Sequence, residues 1–115
     1  MVTNGEKYIP DQGDIVYLDF NPQTGREQMG PRPALIISKK DYNKRLGFVV
    51  ACPITNTQRP YPTHITLPEG KKVKGFVMGE QFKSLDYQQR KIAFVEKADI
   101  EVLDDVLAIV YPIIF

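Results

Sequence analysis

A chain of 115 residues, 43% hydrophobic and 25% charged with a formal net charge of +1, reads as one globular domain over 1–115, with room for one modest core. Disulfide scaffolds are excluded because Cys52 is the only cysteine, which fits a reducing, cytoplasmic setting. Met1 to Pro10 is mixed and polar, which argues against an export signal, and the apolar run Val106 to Phe115 is broken by Pro112 and falls well short of the about 20 residues a membrane span needs.

In chain order, the first β-like run is Asp14 to Phe20, where Ile15-Val16-Tyr17-Leu18 hardly alternates, as in a strand covered on both faces. Asn21-Pro22 ends it. Further strands are expected at Pro33 to Ser38, Gly47 to Cys52, Thr63 to Leu67, Gly75 to Gly79 and Lys91 to Glu96, with a short helix from Lys39 to Arg45. His64 and Thr66 oppose Ile65 and Leu67, which makes His64 an exposed strand residue. The last element is different: Ile100, Leu103, Val106, Leu107 and Val110 follow helical spacing, with Asp99 as N-cap and Pro112 as stop. Short strands followed by one amphipathic helix predict a mainly β fold, a small bent barrel with a C-terminal helix packed on it.

Charge is unevenly spread. Residues 1–95 carry 14 Lys and Arg against 9 Asp and Glu, whereas 96–115 carry Lys97 against five acids. Such a body either draws a polyanion to one face or is ordinary solvated surface, and charge leaves both open.

Most catalytic machineries are excluded by their missing parts. The sequence has no CxxC, HExxH, phosphate-binding glycine loop or GxSxG. With His64 the only histidine, a two-histidine ribonuclease mechanism is ruled out. Cys52 lies in an apolar strand and reads as a buried hydrophobe, and the acids Asp99, Glu101, Asp104 and Asp105 read as the wet side of a helix, so no metal or other cofactor is called for. The segment Gly25-Arg26-Glu27-Gln28-Met29-Gly30-Pro31-Arg32-Pro33 remains, with a carboxylate and a guanidinium five positions apart in a loop braced by glycine and proline. Such a pair is either a surface salt bridge or an acid–base site: RNA carries its own nucleophile in the 2′-hydroxyl, so Glu27 as base and Arg32 as phosphate-binding cation would serve its cleavage.

The ordered set Pro10-Asp11-Gln12-Gly13-Asp14 through Asn21-Pro22, Gly25-x-Glu27-Gln28-x-Gly30-x-Arg32-Pro33, Cys52-Pro53-Ile54-Thr55-Asn56, Tyr61-Pro62 and Gly79-Glu80-Gln81-Phe82-Lys83-Ser84 resembles the MazF/PemK family of toxins, from about Pro10 into the terminal helix. The resemblance implies an SH3-like barrel of the CcdB/PemK type, homodimeric, acting as a metal-independent, sequence-selective endoribonuclease on single-stranded mRNA. Its expected products are a 2′,3′-cyclic phosphate and a 5′-hydroxyl. A cognate antitoxin with a flexible acidic C-terminal segment would neutralise it. The family's catalytic positions fall on Glu27, Arg32 and Thr55, and its RNA-gripping positions on Gln28, Tyr61, Gln81, Lys83 and Ser84.

One departure matters. Where a well-known family member has a histidine before the motif arginine, this chain has Pro31, which cannot titrate. The proton donor to the leaving oxygen stays unassigned. Among the aromatics near the matched loops, Tyr61 between two prolines is expected to be exposed, while Phe82 and Tyr87 read as core or dimer contacts. Two other readings fit a barrel of this kind: a CcdB-like gyrase-binding toxin, against which the missing tryptophan and the Ile113-Ile114-Phe115 ending argue, and a non-catalytic SH3-like interaction module.

Overall fold

The computed structural model describes residues 7–21 and 30–115. Seven strands and two helices follow in chain order: β1 Asp14–Asp19, β2 Pro31–Ile36, α1 Lys40–Leu46, β3 Phe48–Thr55, β4 His64–Thr66, β5 Phe76–Met78, β6 Lys83–Asp86, β7 Ala93–Lys97 and α2 Ile100–Ile114. One-turn 3₁₀ segments at Gly79–Gln81 and Tyr87–Gln89 flank β6. All pairings are antiparallel, in the order β4-β5-β3-β2-β1-β7 with β6 also beside β3. This is the mainly β fold with a C-terminal helix that the patterning predicts. None of the described helices is long and apolar enough to cross a membrane.

The weak alternation of β1 is explained by burial on both faces. Ile15, Leu35, Cys52 and Ile54 join one core cluster with Val102, Leu103, Val106 and Val110 of α2. Their neighbours Val16, Leu18, Ala34, Ile36, Val49 and Ala51 point the other way, into a second cluster closed by Leu85 and Tyr87. Each fully buried aliphatic side chain contributes about 1.5–3 kcal/mol, so the central strands are the stable part of the fold. Buried Asp14 ties further pieces to β1: it accepts from the Tyr8 hydroxyl at 2.5 Å and the Asp11 N–H at 3.0 Å, and pairs with Lys97 of β7 at 2.5 Å. Burial first, and the bond to Asp14 second, push the Tyr8 phenol far above its usual range.

Several expectations are corrected. β2 starts at Pro31, before the predicted Pro33. Pro112 lies inside α2 and does not stop it: proline leaves the Ala108 carbonyl without its helical donor, yet the chain turns on until the Phe115 N–H meets the Tyr111 carbonyl at 2.9 Å. Asp99 holds the N-cap position, yet its carboxylate makes no cap bond and pairs with Lys71 at 2.8 Å, while Ile100 of the predicted apolar stripe is exposed. β6 was not expected at all.

Gly75 immediately precedes β5, close against the end of β3. Its φ is +121°, and a Cβ there would stand 2.2 Å from the Thr55 carbonyl oxygen. Gly70 also has positive φ, +89°, but faces open space. Gly75→Ala should therefore cost about 2–4 kcal/mol in urea unfolding, against about 1 kcal/mol for Gly70→Ala. Equal losses would show that the close approach to Thr55 is not what demands glycine.

Candidate active site

Between the end of β3 and the β4–β5 hairpin lies an open groove. Arg32, Thr55, Asn56, Arg59, Tyr61, Thr63, His64, Glu80 and Gln81 are among the residues lining it. Register accounts for its first wall. β2 and β3 pair through Ala34↔Pro53 and Leu35↔Cys52. Continued two residues further, that register sets Arg32 of β2 across from Thr55 of β3. The Thr55 hydroxyl accepts from the Thr57 N–H at 3.1 Å and keeps its own proton to donate to an anion.

The second wall comes from the hairpin. His64 and Glu80 meet because β4 and β5 pair His64↔Met78, which leaves Glu80 in the 3₁₀ turn just beyond. Glu80 Oε2 lies 3.1 Å from His64 Nε2, and its Oε1 accepts from the Thr63 hydroxyl at 2.8 Å. Tyr61 stands edge-on to the His64 ring at 5.1 Å between centroids. Burial raises the Glu80 pKa, but the bonds from Thr63, its own backbone N–H and His64 together outweigh this and hold it below the usual carboxylate value.

The candidates fall into three groups. Arg32, Thr55, Tyr61 and Gln81 share the groove, with Tyr61 exposed at 51%. Lys83 and Ser84 lie on β6, opposite Ala51 and Val50 of β3, and do not line it. Glu27 and Gln28 lie outside the described residues. The residues flanking that stretch are held side by side: the Gly30 N–H donates to Asn21 Oδ1 at 3.0 Å, the Phe20 N–H to the Gly30 carbonyl at 3.0 Å, and Arg90 Nη1 to the carbonyls of Asp19 and Asn21 at 3.0 and 2.6 Å.

His64 is not the exposed strand residue expected. Its side chain is 4% accessible because Glu80 and Tyr61 cover it. The pairing of His64 with Glu80 was missed, although the two predicted strands of the hairpin carried the signal. Phe82 packs on the helix-side core and Tyr87 is buried in the other. Cys52 is fully buried, and burial pushes its thiol up to about 12, which removes it as a nucleophile near neutral pH. Among the described residues no three His, Cys, Asp or Glu side chains converge as metal ligands would.

Comparison with known proteins places the chain in a family. A family model described as a PemK-like, MazF-like toxin of type II toxin–antitoxin systems matches residues 11–114. The endoribonuclease toxin MazF of Escherichia coli (strain K12) is 36% identical over 84 residues, 73% of this chain and 75% of that one. A crystal structure of MazF from Deinococcus radiodurans superposes with a TM-score of 0.91 at 38% identity, covering 94% of this chain and 98% of that one. A chain in a crystal structure of MazE–MazF from the same organism gives 0.83 at 33% identity, covering 94% of this chain and 97% of that one.

The Glu80 bonds carry a pH signature. A carboxyl held below its ordinary 4.5 in the folded chain stabilises fully above that value and loses the contribution as pH falls through the lowered one. Glu80→Gln should lower the urea midpoint at neutral pH, and the gap to wild type should narrow as pH falls below 4.5. A gap that widened on acidification would contradict the assignment.

Proposed function

The chain belongs to the family of PemK-like, MazF-like toxins of type II toxin–antitoxin systems and is an endoribonuclease, and from this premise we propose that it cuts single-stranded mRNA at selected sequences, without a metal, by attack of the RNA's own 2′-hydroxyl. The observation that carries the reading is the meeting of Arg32 and Thr55, from different strands, in one groove with Tyr61 and Gln81. In this mechanism Glu27 takes the proton of the 2′-hydroxyl, O2′ forms a bond to phosphorus, and the bond to O5′ breaks. The guanidinium of Arg32 and the hydroxyl of Thr55 bind the non-bridging oxygens as negative charge builds on the phosphorane. Protonation of O5′ completes the step and leaves a 2′,3′-cyclic phosphate and a 5′-hydroxyl. Pro31 takes no part in it.

RNA is gripped by stacking on exposed Tyr61 and by the polar side chains Gln28 and Gln81, and Lys83 and Ser84 of β6 meet it outside the groove. The whole chain, 1–115, acts as one domain in the cytoplasm, where its substrate is. A homodimer is supported by the apolar end of α2, where Tyr111, Ile113, Ile114 and Phe115 are all exposed, Phe115 at 84%. A cognate antitoxin neutralises the toxin by laying a flexible acidic C-terminal segment against the groove's cations, in competition with RNA.

Cleavage should persist in excess EDTA, and Glu27→Ala or Arg32→Ala should slow it by about 10²–10³-fold while leaving the fold intact by circular dichroism. Full activity in either variant would remove that residue's role, and abolition by EDTA would remove the metal-free mechanism. Sedimentation equilibrium at micromolar concentration should give twice the chain mass.

A further inference from the structure

The groove holds a feature that phosphate binding does not explain. Glu80 puts a carboxylate, 31% accessible, into a groove that Arg32 and Arg59 also line. A carboxylate repels RNA phosphates, so the backbone does not run past it, and what meets it must bring donors. Thr63 engages Oε1, His64 engages Oε2 and the residue's own backbone N–H adds a third bond, which still leaves the carboxylate acceptor capacity. Proton transfer to the leaving oxygen is a poor use of this pair: a carboxyl held in its ionised form is a weak donor, and the covered His64 ring has Nε2 on Glu80 and a buried Nδ1.

Nucleobases differ in what they offer an acceptor. Adenine, cytosine and guanine carry an exocyclic amino group, and guanine adds the neighbouring N1–H. Uracil has a single N3–H between two carbonyl oxygens that a carboxylate repels. The exposed ring of Tyr61, fixed edge-on against His64, stands in the same wall, where a flat base can stack. We propose that Glu80 is a specificity-determining residue, with Tyr61 as its stacking platform, and that it selects an amino-bearing base over uracil at one position of the cleaved sequence. His64 and Thr63 are positioning residues that aim its carboxylate. The inference rests on the endoribonuclease reading above.

The test maps cut sites in a randomised RNA pool by sequencing 5′-hydroxyl ends, for the wild type and for Glu80→Gln. A second arm uses short RNAs of the wild-type site in which one base at a time loses its amino group: adenine to purine, guanine to hypoxanthine, cytosine to 2-pyrimidinone. At one position the lost amino group should slow the wild type by roughly tenfold to a hundredfold, and Glu80→Gln should relax selection at that position alone. An even loss of rate over all sequences in Glu80→Gln would make Glu80 merely structural. The wild-type arm decides even where the variant is inactive: if no amino deletion slows cleavage at any position, the assignment is overturned. A wild type that cuts no RNA would instead sink the ribonuclease reading itself.

Discussion

The missing N–H groups of Pro31 and Pro33 shape the molecule around its groove. The Ile37 N–H donates to Val50 of β3, whereas the Ile36 carbonyl accepts from Gly13 on the β1 side. Alternation along β2 therefore turns residues 31, 33, 35 and 37 toward β3 and 30, 32, 34 and 36 toward β1. Prolines at 31 and 33 deprive only the β3 side of donors. β2 stays paired to β1 from Pro31 onward, while its pairing to β3 ends at Ala34↔Pro53. The two strands are free to part beyond that point, and Arg32 and Thr55 stand on either lip of the opening. Proline within a sheet usually marks an edge, and here it creates one locally inside a central strand.

This also explains which parts of the fold could be read from the chain. Strands buried on both faces announce themselves as dense apolar runs, and α2 announces itself by its spacing, so β1 to β5, β7 and both helices were legible. β6 was not, because Lys83-Ser84-Leu85-Asp86 offers a single buried apolar side chain, Leu85, and its pairing to β3 is a tertiary decision. Asp99 stands at the N-cap position as read, but a cap bond is worth only about 1 kcal/mol and its carboxylate pairs with Lys71 instead.

The site was legible in a different way. Arg32 and Thr55 lie 23 positions apart in the sequence, and no periodicity joins them. Motif order supplied them, and register explains why they meet. His64 and Glu80 had no motif to announce them as a pair, and the outward face of an alternating strand made His64 look solvated. Burial reversed that reading, because the hairpin turns His64 under Glu80 and Tyr61. The result is a groove of mixed sign, lined by Arg32 and Arg59 and by the anchored anion Glu80. A uniformly basic groove would bind RNA of any sequence, whereas an anion in the path penalises every register that brings a phosphate against it.

The terminal helix is part of this arrangement. The β4–β5 hairpin joins β3 through only Ile54↔Val77 and Thr55↔Phe76, too short a ladder to fix a wall by itself. α2 supplies the rest. A Cβ on Gly79 would come within 3.0 Å of Ile109 Cγ2 and of the Thr63 carbonyl oxygen, so the 3₁₀ turn carrying Glu80 and Gln81 is pressed between the helix and the start of β4. Val106 and Val110 bury the same helix in the cluster that holds Ile54 and Val77. The apolar stripe that reads in the sequence as a packing face is therefore also what sets the distance between the two walls. A change in the seating of α2 would move Glu80 relative to Thr55 without touching either residue.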